Sequence, residues 1–196
     1  MELKNVLYVH GYGSNENSSS GRLFQEVFGE EVKVHTITYD PSTPMEAIAK
    51  IRKYSRENNI NLMIGSSLGG FMVMNCLGSL GIVINPCVMP SIELPKIGYL
   101  GPIEDYITLE NELKDAVDWE DMDSCYGCFA PEDEVLGLKY KAEFEKIYSL
   151  TCEIPGGHRV TREAAEKIVH EIVPEFLKRI DAWHEGYRKL IDEGIV

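Results

Sequence analysis

Residues Asn61–Val73 read NLMIGSSLGGFMV. The apolar run Leu62–Ile64 has the length and composition of a buried strand. It meets a Gly-Ser-Ser-Leu-Gly turn and passes at once into a second apolar run, read as a helix over Leu68–Leu80. Gly65-Ser66-Ser67-Leu68-Gly69 has the form Gly-x-Ser-x-Gly. Between a strand and a helix, the middle residue of this pattern is held in a strained conformation that lifts its side chain above the sheet. The flanking glycines let strand and helix approach closely. The register singles out Ser67 and leaves Ser66 as a small residue that lets the turn close. A hydroxyl at Ser67 would sit beside the partial positive charge of a helix N-terminus. The competing reading is a serine-rich helix cap.

Working outward, short β-rich runs alternate with helical patterns. Val6–Val9 reads as a strand and Ser20–Phe28 as a helix. Val32–Thr38 (VKVHTIT) alternates as a half-buried edge strand does. Thr43 and Pro44 mark a helix start, with Ile48, Ile51 and Tyr54 at helical spacing. Ile82–Ile84, Cys125–Phe129 and Ser149–Glu153 read as further strands. Glu132–Lys146 reads as a helix, and a long helical pattern, interrupted at Pro174, follows Thr161. Residues 91–123 are irregular and then acidic, with Leu109, Leu113 and Val117 on one helical face. Such alternation implies an α/β domain with a mainly parallel central sheet. Sites in these sheets form at the C-terminal ends of the strands.

The residues just past each strand are therefore the informative ones. His10-Gly11-Tyr12-Gly13 follows the first strand. A turn of this kind can bring the Tyr12 N–H beside Ser67, where with the Leu68 N–H it would form a two-donor oxyanion hole. His158 follows the last strand through a Pro-Gly-Gly turn and is the histidine placed to serve Ser67 as a base. His35 lies mid-strand and reads as structural, His170 and His184 lie in helical segments, and His10 belongs to the turn. Glu132, Asp133 and Glu134 follow the penultimate strand and compete to orient the imidazole. Asp133, in a D-x-V turn, is favoured, its neighbours serving as N-terminal helix charges.

The bulk composition limits the alternatives. The 196 residues are 44% hydrophobic with nine prolines, which suits one globular domain. A formal charge of −13 disfavours nucleic acid and anionic membrane surfaces as partners, and disfavours polyanionic substrates more weakly. No run is long enough to span a bilayer or to form an export signal, so no membrane insertion and a cytoplasmic location are expected. Five cysteines, mostly in apolar segments, read as reduced thiols. Cys125 and Cys128 form a C-x-x-C, but in a strand they face opposite sides, and zinc would need two further ligands. A dinucleotide loop at GSSLGG lacks the middle glycine and the acidic residue that would hold a ribose.

The stretches LYVHGYGSNENSSSG, IGSSLGGF, VINPCVMP, APEDEVL and GGHRV together resemble the α/β-hydrolases, and more narrowly the small bacterial YqiA-like esterases. The resemblance implies a three-layer α/β-hydrolase sandwich over residues 1–180, with a short lid insertion at about 91–123. A helical extension, residues 181–196, follows, and Ile180, Trp183, Tyr187 and Ile191 form a stripe at helical spacing that packs back or forms a dimer contact. It implies a serine esterase acting on small or accessible acyl groups, with Ser67, Asp133 and His158 as the triad, Tyr12 and Leu68 as oxyanion donors, and no metal or organic cofactor. The expected partner is a small-molecule ester and the expected state a monomer or homodimer. A thioesterase or small peptidase with the same triad, or a non-catalytic binding protein on the same fold, are the alternatives.

Overall fold

The computed structural model describes residues 2–117 and 121–193. Met1, residues 118–120 of the expected insertion and residues 194–196 of the expected extension lie outside them. Six strands form one sheet: β1 (Asn5–Val9), β2 (Lys33–Ile37), β3 (Leu62–Ser66), β4 (Gly81–Ile84), β5 (Cys125–Phe129) and β6 (Leu150–Glu153). Their spatial order is β2-β1-β3-β4-β5-β6 and every pairing is parallel. β2 lies at one edge, as its alternation indicates.

The central strands are apolar on both faces because helices cover both. Leu7, Val9, Met63 and Val83 face one core layer, with α2 (Pro44–Glu57), α3 (Leu68–Met74) and α5 (Glu104–Ala116). Val6, Tyr8, Leu62, Ile64, Ile82 and Ile84 face the other. There they meet α1 (Ser19–Phe28), α7 (Arg162–Lys167) and α8 (Val173–Asp192). The chain runs outward from β1 to β2, returns past β1 to β3, and continues in the opposite direction. The reversal makes the gap between the C-terminal ends of β1 and β3 the topological switch point, where open α/β sheets build their sites.

Several elements depart from the sequence reading. α3 ends at Met74 rather than near Leu80, because Asn75 folds its amide back onto the Phe71 carbonyl at 3.0 Å and Gly78 takes a positive φ of 76°. A short helix, α4 (Pro90–Lys96), occupies a stretch read as irregular. α5 stops at Ala116 with Val117 extended, so the expected face holds through Leu113 only. The helix expected over Glu132–Lys146 is a loop followed by a 3-10 turn (Gly137–Tyr140) and α6 (Lys141–Phe144). Asp133 uses its carboxylate to bind the Val135 and Leu136 N–H groups, and Gly137 has a φ of 62°, which together fold residues 133–137 into a turn. Pro174 does not interrupt the last helix. A π-helical turn, Ile168–Ile172, shifts the hydrogen-bond ladder so that the missing N–H falls at the start of α8.

The tail stripe divides. Ile180 is buried, whereas Trp183 and Tyr187 stack on each other at 5.3 Å and Ile191 is exposed. Cys125 and Cys128 lie in opposite core layers. No helix among the described residues is long and apolar enough to cross a membrane.

Candidate active site

The turn after β3 is tight because only glycine fits on either side of it. A Cβ on Gly69 would lie 2.1 Å from the Val9 carbonyl oxygen, and one on Gly65 would lie 2.4 Å from that of Gly69. Between them Ser67 adopts φ 53° and ψ −121°, a conformation that a residue with a side chain holds only when its surroundings enforce it. The surroundings are backbone hydrogen bonds. The Ser67 N–H donates to Ile84, and the Ser67 carbonyl accepts from Gly70, Phe71 and Cys87. The Ser67 hydroxyl caps no helix N–H, which sets aside the capping alternative. Ser66 is engaged elsewhere, its hydroxyl 2.6 Å from that of Tyr8.

The turn after β1 lies directly over Ser67. A Cβ on Gly11 would come within 3.2 Å of Ser67 Cβ and 3.7 Å of its Oγ. Buried His10 shapes this turn: its Nδ1–H donates to the Gly11 carbonyl at 2.8 Å, its ring stacks on Tyr39 at 4.7 Å, and its own carbonyl accepts from the Tyr39 hydroxyl. Burial lowers the His10 pKa and keeps the ring neutral. The Tyr12 and Leu68 N–H groups donate to no described residue.

Opposite this turn, His158 Nδ1 lies 3.0 and 3.1 Å from the two carboxylate oxygens of Asp133. A carboxylate accepts, so Nδ1 carries the hydrogen of this contact. The Asp133 side chain is fully buried. Burial alone would raise its pKa, but the His158 hydrogen bond and the N–H groups of Leu136 and Val135 outweigh it and lower the pKa. Glu134 is not a helix charge: its carboxylate accepts the backbone N–H of His158 at 3.0 Å. Glu132 is exposed. Ser67, Tyr12, Glu134 and His158 line one open cavity of about 630 Å³. His35 is buried and hydrogen-bonded to Tyr54 and Asn5, away from this cavity. His170 and His184 lie in the C-terminal helices. Among the described residues no group of three His, Cys, Asp or Glu side chains could hold a metal ion.

Asn85 has no role in the sequence reading, although NPCVMP is one of the stretches that carry the resemblance. It sits at the end of β4, buried, with φ 43°. Its side chain accepts from the Ala130 N–H at 2.8 Å and donates to the Gly157 carbonyl at 3.0 Å. One buried amide thus ties the start of the Asp133 loop to the residue before His158. The signal in the sequence is an Asn-Pro closing an apolar strand, which by itself indicates only a turn.

The chain belongs to the uncharacterised protein family UPF0227, whose model matches residues 5–167. No curated protein matches it. Solved structures that resemble it share the α/β-hydrolase fold. Est1E from Butyrivibrio proteoclasticus has a TM-score of 0.68 at 16% identity, covering 90% of this chain and 89% of that one. A monoacylglycerol lipase from Paleococcus ferrophilus has a TM-score of 0.63 at 15% identity, covering 89% and 94%. The esterase domain of a Rhodothermus marinus protein has a TM-score of 0.61 at 15% identity, covering 91% and 90%. One of these neighbours is named a lipase and one an esterase domain, and at such identities the likeness establishes the fold. The α/β-hydrolase resemblance read from the sequence is borne out.

Proposed function

We propose that the protein is a serine hydrolase that cleaves carboxylic esters of small-molecule substrates through an acyl-enzyme. The observation that carries the reading is the Asp133–His158 pair, 3.0 Å apart, in the loops bordering the cavity that the strained Ser67 also lines. Support also comes from the neighbours, one named a lipase and one an esterase domain, and from Est1E, a structure of which has ferulic acid bound.

In this mechanism His158 Nε2 takes the Ser67 hydroxyl proton as Oγ attacks the ester carbonyl carbon. The Tyr12 and Leu68 N–H groups, left without acceptors, receive the oxyanion. The C–O bond to the alcohol breaks, and His158 returns the proton to the departing oxygen. Water then attacks the acyl-Ser67 carbonyl, giving a proton to His158; the C–Oγ bond breaks, the acid leaves and Ser67 regains its proton. Asp133 holds the ring in the tautomer that this requires and stabilises its cationic form.

A fluorophosphonate probe tests the reading, applied beside chromogenic esters of rising acyl length. Ser67 should be labelled and the esters hydrolysed, and Ser67→Ala should show neither. Folded wild-type protein that is unlabelled and inactive would overturn the reading in favour of a binding protein.

A further inference from the structure

Ser67 borders a second cavity, of about 230 Å³. Leu68 lines this cavity and not the larger one, Tyr12 lines both, and His158 lines only the larger one. The division assigns the two halves of an ester. His158 must protonate the departing alcohol, so the alcohol occupies the cavity that His158 lines. The acyl group, bonded to Ser67 with its oxygen at the Tyr12 and Leu68 N–H groups, occupies the other.

The lining of this second cavity is partly apolar, with Leu68, Leu94 and Leu136, but it also carries Lys96 and Lys139. Both ammonium groups bind one oxygen of Glu93, at 2.8 and 3.0 Å, so they stand no farther apart than the sum of those distances. The Tyr140 hydroxyl donates to the same oxygen. Glu93 is nearly buried, whereas roughly half of each lysine side chain is exposed, 56% for Lys96 and 49% for Lys139. The cavity therefore pairs two cations with one anion in a chain whose overall charge is −13. Two converging ammonium groups suit a carboxylate that arrives with the substrate.

We infer that this cavity is an acyl subsite for a chain that ends in a carboxylate, so that the preferred substrates are half-esters of short dicarboxylic acids. The inference rests on the serine-hydrolase reading above. Glu93 holds the two lysines together, and the substrate carboxylate supplies the second negative charge.

The test compares monoethyl succinate, glutarate and adipate with ethyl esters of equal length that carry an isopropyl group in place of the carboxylate, followed by proton release at constant pH. At least one half-ester should exceed its neutral counterpart in kcat/KM by tenfold or more. Lys96→Met combined with Lys139→Met should lower that ratio at least tenfold, and Glu93→Gln, whose amide oxygen can still accept from both ammonium groups while carrying no competing charge, should raise it. If the lysine variants fail to fold, the wild-type ratio and Glu93→Gln decide. Neutral esters cleaved as well as or better than all three half-esters would overturn the inference and leave the serine-hydrolase reading standing. No cleavage of any ester, with no labelling of Ser67, would overturn both.

Discussion

Asn85 donates its side-chain amide to the Gly157 carbonyl at 3.0 Å, across 72 positions of sequence, and so joins the end of β4 to the loop that presents His158. The same amide accepts the Ala130 N–H, so one side chain sets the spacing between the loops of Asp133 and His158. Asn85→Ala leaves the buried Ala130 N–H and the half-buried Gly157 carbonyl without their partner, at a cost of about 1–3 kcal/mol for each group that water does not reach. The expected outcome is a lower urea midpoint together with a kcat that falls more than KM changes, read by denaturation and steady-state kinetics on one preparation. An unchanged kcat would mean that the two loops keep their spacing without this bridge.

The three adjacent carboxylates have separable roles. Asp133→Asn puts an amide against His158 Nδ1 and favours the wrong ring tautomer, and kcat should fall about 10³–10⁴-fold. Glu134→Gln keeps an acceptor for the His158 N–H at an exposed position, and the rate should stay within about fivefold of wild type. Glu132→Gln should leave the rate unaltered. Equal losses in all three would overturn the choice of Asp133.

Ser67 can be replaced in two ways that abolish acylation but differ in backbone strain. Holding a residue with a Cβ at φ 53° costs on the order of 1–3 kcal/mol, and glycine avoids that at an entropic cost of about 0.5–1 kcal/mol. Ser67→Gly should therefore be more stable than Ser67→Ala by about 1 kcal/mol. Thermal denaturation of the two inactive proteins measures the difference, and equal stabilities would show that the turn is not strained.

Acid should destabilise the fold through two carboxylates. Asp133 is held below its usual value as described, against the effect of burial. Burial likewise opposes ionisation of Glu93, but hydrogen bonds from Lys96, Tyr140 and Lys139 outweigh it and hold the group at about 2. Both folded values lie below the unfolded ones of about 3.9 for Asp and 4.3 for Glu. Their stabilisation is thus fully present above those unfolded values and is lost as pH falls through the folded ones. Urea midpoints should be level from about pH 7 to 5 and decline below about pH 4. Glu93→Gln should flatten part of that decline, and an identical acid slope in the variant would contradict the role given to this carboxylate.

The sequence by itself determined the features whose causes are local. Strand–helix alternation, the apolar faces and the edge position of β2 follow from patterns a few residues long. The Gly-x-Ser-x-Gly turn was legible as well, because its glycines answer to contacts between segments that the pattern already places side by side. The order of Ser67, Asp133 and His158 along the chain could be read on the same basis. Tertiary structure alone decided what depends on loops meeting from distant positions. The D-x-V turn favours Asp133 over Glu132 and Glu134, but it does not say what each carboxylate binds. Only the packing of the β5 and β6 loops gives one carboxylate to the His158 ring and another to its backbone. Local propensity favoured a helix over 132–146, but the Asp133 carboxylate closes a turn on the Val135 and Leu136 N–H groups and Gly137, at φ 62°, takes the chain out of the helical region. Asn85, and the meeting of Lys96 and Lys139 on Glu93, likewise escape the sequence. Lys96 meets Glu93 one turn away on α4, but a polar contact between residues tens of positions apart, such as Asn85 with Gly157 or Lys139 with Glu93, has no period, and only the closed fold brings its two halves together.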